Sequence, residues 1–285
     1  MLWLNGEIHD GLVAPFDLRD RGLLLADGLF ETILAVNGVA FCLADHLDRM
    51  EASAARLALP FERAVLETAV AAVVARTENG TGVVRLTVTR GPGQRGLRVP
   101  AEAQPTILAT IAPWQPATAF NALRLASVSV RRNEFSPAST MKTLAYLDNV
   151  LALEEAVAKG GEDALILNTA GRVASTSMAN LFALVDGRLI TPPMDDGVLP
   201  GITRKLILAL APDLGLPVSE PSLAPEELLA AETVFATNSV RLIAPVSAID
   251  GTAIRPHDTL TDRLMQALRE AIADACGLDP FGKGS

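Results

Sequence analysis

The apolar positions of the chain fall into clear periods over much of its length. In ADHLDRMEASAARLAL (44–59), Leu47, Met50, Ala54 and Leu57 recur at three- and four-residue steps, the spacing of one helix face. FERAVLETAVAAVVART (61–77) predicts a second helix. GVVRLTVTR (82–90) is rich in β-branched residues and predicts a strand, with TILATIAP (106–113) as its partner. APWQPATAF (112–120) carries two prolines and no period, and separates these elements from a second group. There ALRLASVSVRR (122–132) predicts a strand, and TLAYLDNVLALEEAVAK (143–159) a helix stopped by Gly160-Gly161. EDALILN (162–168) and a turn lead to NLFALVDGRLITPP (180–193), which reads as a hairpin about Asp186-Gly187. LPGITRKLILAL (199–210) reads as a loop entering a helix, ETVFATNS (232–239) as a strand, and IAPVSAIDGTAI (243–254) as another hairpin. Residues 259–276 predict a terminal helix. Strands and helices mix without strict β-α-β alternation, so the pattern predicts an α+β fold. Its expected organisation is a smaller N-terminal domain over 1–112, a linker over 113–120 and a larger C-terminal domain over 121–285.

Composition narrows what such a fold could do. The chain has 285 residues, and its 49% apolar content supplies a real core while 20% charge is too little for a disordered chain. Lys and Arg number 24 against 33 Asp and Glu, a net charge of -9 that repels phosphate backbones. Nucleic acid is therefore not expected as a partner, although a local arginine cluster could still hold a small anion. Cys42 and Cys276 lie far apart without metal or redox spacing, which fits a reducing compartment. His9, His46 and His257 are equally scattered, and no metal site is expected. MLWLNGEIHDG lacks the pattern of a signal peptide, and runs such as Ala69–Ala75 are too short to span a membrane. The expectation is a cytoplasmic protein acting on small molecules.

Four stretches could carry chemistry. Lys142 follows the Ser/Thr/Pro loop SPAST at the edge of the helix predicted over 143–159. A lysine at the positive end of a helix is disfavoured as a cation, the condition for a nucleophilic amine; the alternative is an ordinary surface lysine. LPGITRK (199–205) places Thr203 and free backbone N–H groups at a helix start, a phosphate cradle or simply a capped helix. Thr237-Asn238-Ser239 ends a strand with small polar residues, suited to a pocket rim or a plain turn. RGPGQRG (90–96) could be a mobile anion-binding lid using Arg95 or Arg98, or a surface hairpin loop; it lacks the Gly-Lys-Ser/Thr ending of a nucleotide P-loop. No G-x-S-x-G elbow or Ser/His/Asp set is present.

Taken in order, DRGLLLADGLFET (20–32), HLDR (46–49), RGPGQRG, MKTLAYLDNVLA (141–152), NLF (180–182), LPGITR (199–204) and TNS followed by APV (244–246) resemble the class IV, fold type IV family of pyridoxal-phosphate enzymes. That family comprises branched-chain aminotransferases, D-amino-acid transaminases and aminodeoxychorismate lyases. The resemblance implies a two-domain, homodimeric enzyme with the cofactor between the domains, moving an amino group between an amino acid and a 2-oxo acid. The alternative it implies is a lyase releasing pyruvate and 4-aminobenzoate. By the same resemblance Lys142 is the lysine joined to the cofactor and Arg49 pairs with its phosphate. Ile202, Thr203, Asn238 and Ser239 complete the cofactor site. Arg95 holds the substrate carboxylate, with Phe30 and Arg98 as further substrate contacts.

Two positions depart from the family pattern. Ser175 stands where most members carry a glutamate that pairs with the pyridine nitrogen; a hydroxyl cannot hold that nitrogen protonated as a carboxylate does. A weaker electron sink is expected. Leu97 replaces the clamp histidine of D-amino-acid transaminases, and Asn238 and RGPGQRG resemble the lyases, whereas Ala145 replaces a lyase-like asparagine.

Overall fold

The computed structural model describes residues 1–254 and 259–282; His257 lies outside the described residues. The chain divides into two compact units. The first is Met1–Gln115 with Met141–Ala145 and Ile272–Ser285, and the second is Pro116–Thr140 with Tyr146–Ala271. Two short stretches beyond the Pro-rich connection thus group with the first unit.

The first unit is built on a six-stranded sheet. In chain order it contains β1 (Leu2–Leu4), β2 (Glu7–His9), α1 (Arg21–Leu25), β3 (Gly28–Val36), β4 (Val39–Ala40), α2 (Leu43–Leu57), α3 (Arg63–Val74), β5 (Gly82–Thr89) and β6 (Thr106–Ala112). The strand order is β2-β1-β6-β5-β3-β4, and every pair is antiparallel. The β5–β6 pair and both predicted helices are present. The nine-residue strand β3, between β5 and the edge strand β4, is the longest element that periodicity missed. Its residues Leu29, Ile33 and Ala35 share one face and pack with Leu47, Met50 and Ala54 of α2 and Leu66, Val70 and Val73 of α3. Glu31 occupies that same core-facing register, while Phe30 points to the opposite face.

The second unit carries β7 (Leu123–Arg132), α4 (Leu147–Ala158), β8 (Asp163–Asn168), β9 (Val173–Ser175), β10 (Asn180–Val185), β11 (Arg188–Ile190), α5 (Ile202–Asp213), β12 (Val218–Ser219), α6 (Pro225–Ala230), β13 (Thr233–Asn238), β14 (Leu242–Ile249), β15 (Thr252–Ala253) and α7 (Thr259–Cys276), whose last residues group with the first unit. Its sheet runs β12-β11-β10-β13-β14-β7-β8-β9, with β15 beside β14. The β10–β11 hairpin turns at Asp186 and Gly187, both at positive φ (50° and 69°), the geometry of a type I′ turn. Phe182 and Phe235 face one another in register and stack at 5.1 Å between ring centroids. Such a pair contributes about 1 kcal/mol beyond its buried area. Parallel pairing of β7 with β8 is bridged by α4, whose Ala152 and Ala156 let the helix lie close on Ala126, Ala164 and Ile166. Among the described residues no helix is long and apolar enough to cross a membrane.

Candidate active site

Lys142 is not at a helix start. The helix predicted from 143 begins at Leu147, and Tyr146 is its N-cap residue without a side-chain cap. Thr140 closes a short 3-10 turn, its hydroxyl directed to the Pro137 carbonyl. The residues between form an extended strap against β3. Phe30 N–H donates to the Lys142 carbonyl and Leu144 N–H to the Gly28 carbonyl, each at 3.0 Å. Gly28 is required for this approach: a Cβ there would lie 2.6 Å from the Val88 carbonyl oxygen and 2.8 Å from Leu144 Cδ1. Backbone pairing, not a helix dipole, therefore fixes the lysine. Its Nζ sits 4.3 Å from the centroid of the Phe30 ring, and Arg85 Cζ lies 3.5 Å from the same centroid. Phe30, expected to contact substrate, is buried beneath these two cations.

On the other face of β3 the acid that sequence reasoning missed organises a charged cluster. Glu31 Oε1 accepts from Arg49 Nε at 2.9 Å, and its Oε2 accepts from Arg49 Nη2 at 2.5 Å and from His46 Nδ1 at 2.7 Å. Glu31 and His46 are only 1% and 2% exposed. Burial by itself would raise the Glu31 pKa, but the Arg49 charge and the hydrogen bonds from His46 and Arg49 outweigh it and hold it at about 2. Burial pushes His46 below its ordinary value, against the pull of Glu31 and with the charges of Arg49 and Lys142 acting in the same direction as burial. The contact is thus a neutral imidazole donating through Nδ1–H to an ionised carboxylate. The legible signal was HLDR itself: His46 and Arg49 at i and i+3 on a buried helix face demand a buried acid.

The loop over 90–100 is anchored at its base. Arg90 donates to Asp27 at 2.8 and 3.0 Å and to the carbonyls of Leu57 and Ala58 at 2.9 Å. Asp20 accepts from the Thr89 and Thr106 hydroxyls at 2.8 and 2.7 Å. Arg95 and Arg98 are exposed, and Arg95 lines a cleft of about 760 Å³ with Leu18, Arg19, Leu24, Pro92 and Pro100 among its walls.

In the second unit three sequence-predicted stretches meet at one end of the large sheet. Asn180, opening β10, donates to the Leu199 carbonyl at 2.9 Å and lies opposite Thr237 of β13. Gly201, the N-cap of α5, presses so closely on Asn180 that a Cβ there would lie 2.0 Å from the amide oxygen. Asn238 accepts from Val240 and Arg241 N–H and so shapes the turn that carries Ser239, while its amide reaches the Met178 carbonyl at 3.5 Å. The N terminus of α5 has no side-chain cap, and Ile202 and Thr203 are buried there. Thr237 Oγ1 is a buried hydroxyl without a hydrogen-bond partner among the described residues. An uncapped helix start beside hydroxyl side chains fits a phosphate group. Arg204 is structural, donating to Glu220 and to the Pro192 carbonyl.

Ser175 ends β9 opposite Ile166, half-buried, and its hydroxyl makes no hydrogen bond with another described residue. The buried Asp163 spends Oδ1 on Ser177 N–H, the Ser177 hydroxyl and Ala164 N–H.

A profile of amino-transferase class IV matches residues 28–249, from the first residue of β3 to the last of β14. The chain belongs to the class IV aminotransferase family. Its members depend on pyridoxal phosphate, and the resemblance read from the ordered motifs is borne out. The D-alanine aminotransferase of Listeria monocytogenes is 31% identical over 286 residues, covering 98% of this chain and 99% of its own. The crystal structure of 4-amino-4-deoxychorismate lyase from Pseudomonas aeruginosa is similar with a TM-score of 0.86 and 33% identity, covering 95% of this chain and 98% of its own. A branched-chain aminotransferase of Thermoproteus uzoniensis, solved with norvaline, gives a TM-score of 0.87 at 30% identity, covering 95% of this chain and 94% of that one. The α+β fold and the pyridoxal-phosphate dependence expected from sequence both stand.

Proposed function

We propose that this enzyme transfers an amino group between an amino acid of D- or branched-chain type and a 2-oxo acid, with Lys142 as its central residue. The observation that carries the reading is the strap 141–145: it fixes Lys142 by backbone pairing to β3 and sets its amine over the Phe30 ring, which Arg85 also contacts. Pyridoxal phosphate, when bound, supplies a carbonyl carbon for amines and a ring that withdraws electrons from the substrate Cα. The remaining chemistry belongs to the chain. Lys142 Nζ would hold the group at that carbonyl carbon, the carbonyl oxygen leaving as water, and as a free amine would accept the substrate Cα proton as a general base. Arg49, held by Glu31, and Thr203, Ser239 and Ile202 N–H bind the phosphate. Arg95 and Arg98 bind the substrate carboxylate. The test is 2-oxo-acid-dependent amino transfer with D-alanine and L-leucine; enzyme that turns over neither refutes the reading.

One observation favours a second reading, the lyase. Ser175, half-buried at the end of β9, presents a hydroxyl where a carboxylate would keep the ring nitrogen protonated. A neutral nitrogen costs an elimination less than a full transamination. Pyruvate release from aminodeoxychorismate without amino transfer selects this reading.

The enzyme acts as a homodimer in the cytoplasm. Support for self-association is the exposed apolar set Leu12, Val13, Leu18, Leu23 and Leu24 of the first unit; support for a reducing compartment is that neither Cys42 nor Cys276 is in a disulfide. Sedimentation at micromolar concentration reads the first.

A further inference from the structure

Arg21, the second residue of the stretch DRGLLLADGLFET, is a buried cation to which the chemistry above gives no role. It opens α1 at 4% exposure, and its Nε donates to Asp27 Oδ2 at 2.8 Å. Its other nitrogens leave the ion pair and enter the loop. Nη1 donates to the Gly96 carbonyl at 3.0 Å and approaches that of Arg98 at 3.4 Å, while Nη2 reaches the Leu97 carbonyl at 3.3 Å. Three consecutive carbonyls of a solvent-facing loop thus converge on one guanidinium. Arg21 N–H also donates to the Gly91 carbonyl, and Gly93 N–H to that of Arg19, so the α1 entry and the loop are laced together on two levels. Asp27 completes the device by pairing with Arg21 and Arg90 at once. Arg95 and Arg98 flank the carbonyls so held.

A merely structural ion pair would need only Arg21 and Asp27. The planar fork goes further, because only a guanidinium presents donors in one plane to several acceptors while still meeting a carboxylate. Backbone held at 96–98 fixes where the Cα–Cβ bonds of Arg95 and Arg98 point. The loop, open in sequence to either a mobile lid or a surface hairpin, is tethered from inside.

We propose that Arg21 is a positioning residue for substrate recognition: by holding the carbonyls of Gly96, Leu97 and Arg98 it aims Arg95 and Arg98 at the carboxylate of the amino acid or oxo acid. The inference rests on the reading of Arg95 and Arg98 as the carboxylate-binding pair.

The experiment uses the holoenzyme and the variants Arg21→Lys and Arg21→Met. The first keeps a cation for Asp27 but loses the fork, and the second keeps bulk alone. The substrate is whichever the wild type turns over among D-alanine and L-leucine, each with 2-oxoglutarate, and aminodeoxychorismate. Expected for both variants is a KM raised about tenfold or more. Expected with it are a kcat and cofactor affinity within about twofold of wild type, in line with lost uniform binding, and faster tryptic cleavage after Arg95 and Arg98. Unchanged KM overturns the proposal, even if cleavage accelerates. So does a parallel loss of KM, cofactor affinity and thermal stability in Arg21→Lys, which would mark a purely structural role. Arg95→Met and Arg98→Met, run alongside, separate the two levels. If they raise KM while Arg21→Lys and Arg21→Met do not, only the role of Arg21 falls. If none raises KM, the carboxylate reading of the loop falls with it.

Discussion

Replacing Glu31 by glutamine should cost the first unit about 3 kcal/mol at neutral pH. The substitution preserves shape and one acceptor but removes the charge facing Arg49, whose side chain is only 8% exposed. Stripping one partner from a buried ion pair costs roughly 3–5 kcal/mol, because the remaining charge stays desolvated and uncompensated. Titration gives the same scale. The Glu31 carboxyl moves from an ordinary 4.5 to about 2 in the folded chain. That depression corresponds to about 3 kcal/mol of stabilisation. The folded pKa is the lower one, so the contribution is fully present above the unfolded value and drains away as pH falls from there towards the folded value. Between about pH 5.5 and about pH 3.5 this group alone should cost the wild type roughly 1 kcal/mol, a loss the variant cannot show. The chain provides its own reporter: Trp3 and Trp114 are its two tryptophans, and both are buried in the first unit. Urea unfolding followed by their fluorescence at several pH values measures both quantities. A variant within about 1 kcal/mol of wild type at neutral pH, or one with the same acid slope, would refute the assignment of Glu31 as the charge that Arg49 and His46 depend on.

Three further outcomes are expected. Ser175→Glu should raise the amino-transfer rate and shift the cofactor's absorption by restoring an acid at the ring nitrogen; an unaltered spectrum and rate would show that the nitrogen never lacked a proton. Gly201→Ala should weaken pyridoxal-phosphate binding at least about tenfold, because the added methyl displaces the Asn180 amide, lying 2.0 Å away, and with it the start of α5; equilibrium dialysis against the free cofactor checks it. Gly28→Ala should destabilise the first unit by about 1–3 kcal/mol and disorder the Lys142 strap, since the methyl meets the Val88 carbonyl at 2.6 Å; hydrogen exchange at Phe30 and Leu144 amides reads the second effect.

Much of the fold was legible because its signals are local. The α2 and α3 faces, the β5–β6 pair and the Asp-Gly hairpin turns follow from three- to eight-residue patterns. What was misread depended on distant partners. TLAYL continues the apolar rhythm of α4, yet residues 141–145 pair with β3, more than a hundred residues earlier in the chain, and that pairing overrides local helix propensity. The consequence was chemical, since an argument from a helix end was attached to a lysine that a strand holds. Glu31 was invisible for a related reason. In FETILAV it looks like the solvent-facing polar position of a strand, and only the helix lying across β3 reveals that it faces the core. The Arg21 contacts were equally hidden, because backbone carbonyls leave no trace in a sequence. The second-unit motifs fared better: Ser175–Asn180, Leu199–Thr203 and Thr237–Ser239 do meet, through Asn180.

The chain has four lysines, Lys142, Lys159, Lys205 and Lys283. Borohydride reduction of the holoenzyme followed by tryptic mapping asks which of them holds the cofactor. The prediction is a single phosphopyridoxyl label on a peptide running from Asn133 to Lys159, because modification blocks cleavage at Lys142. Label on any other lysine, or an unmodified Lys142 after complete reduction, would contradict the central role given to that residue.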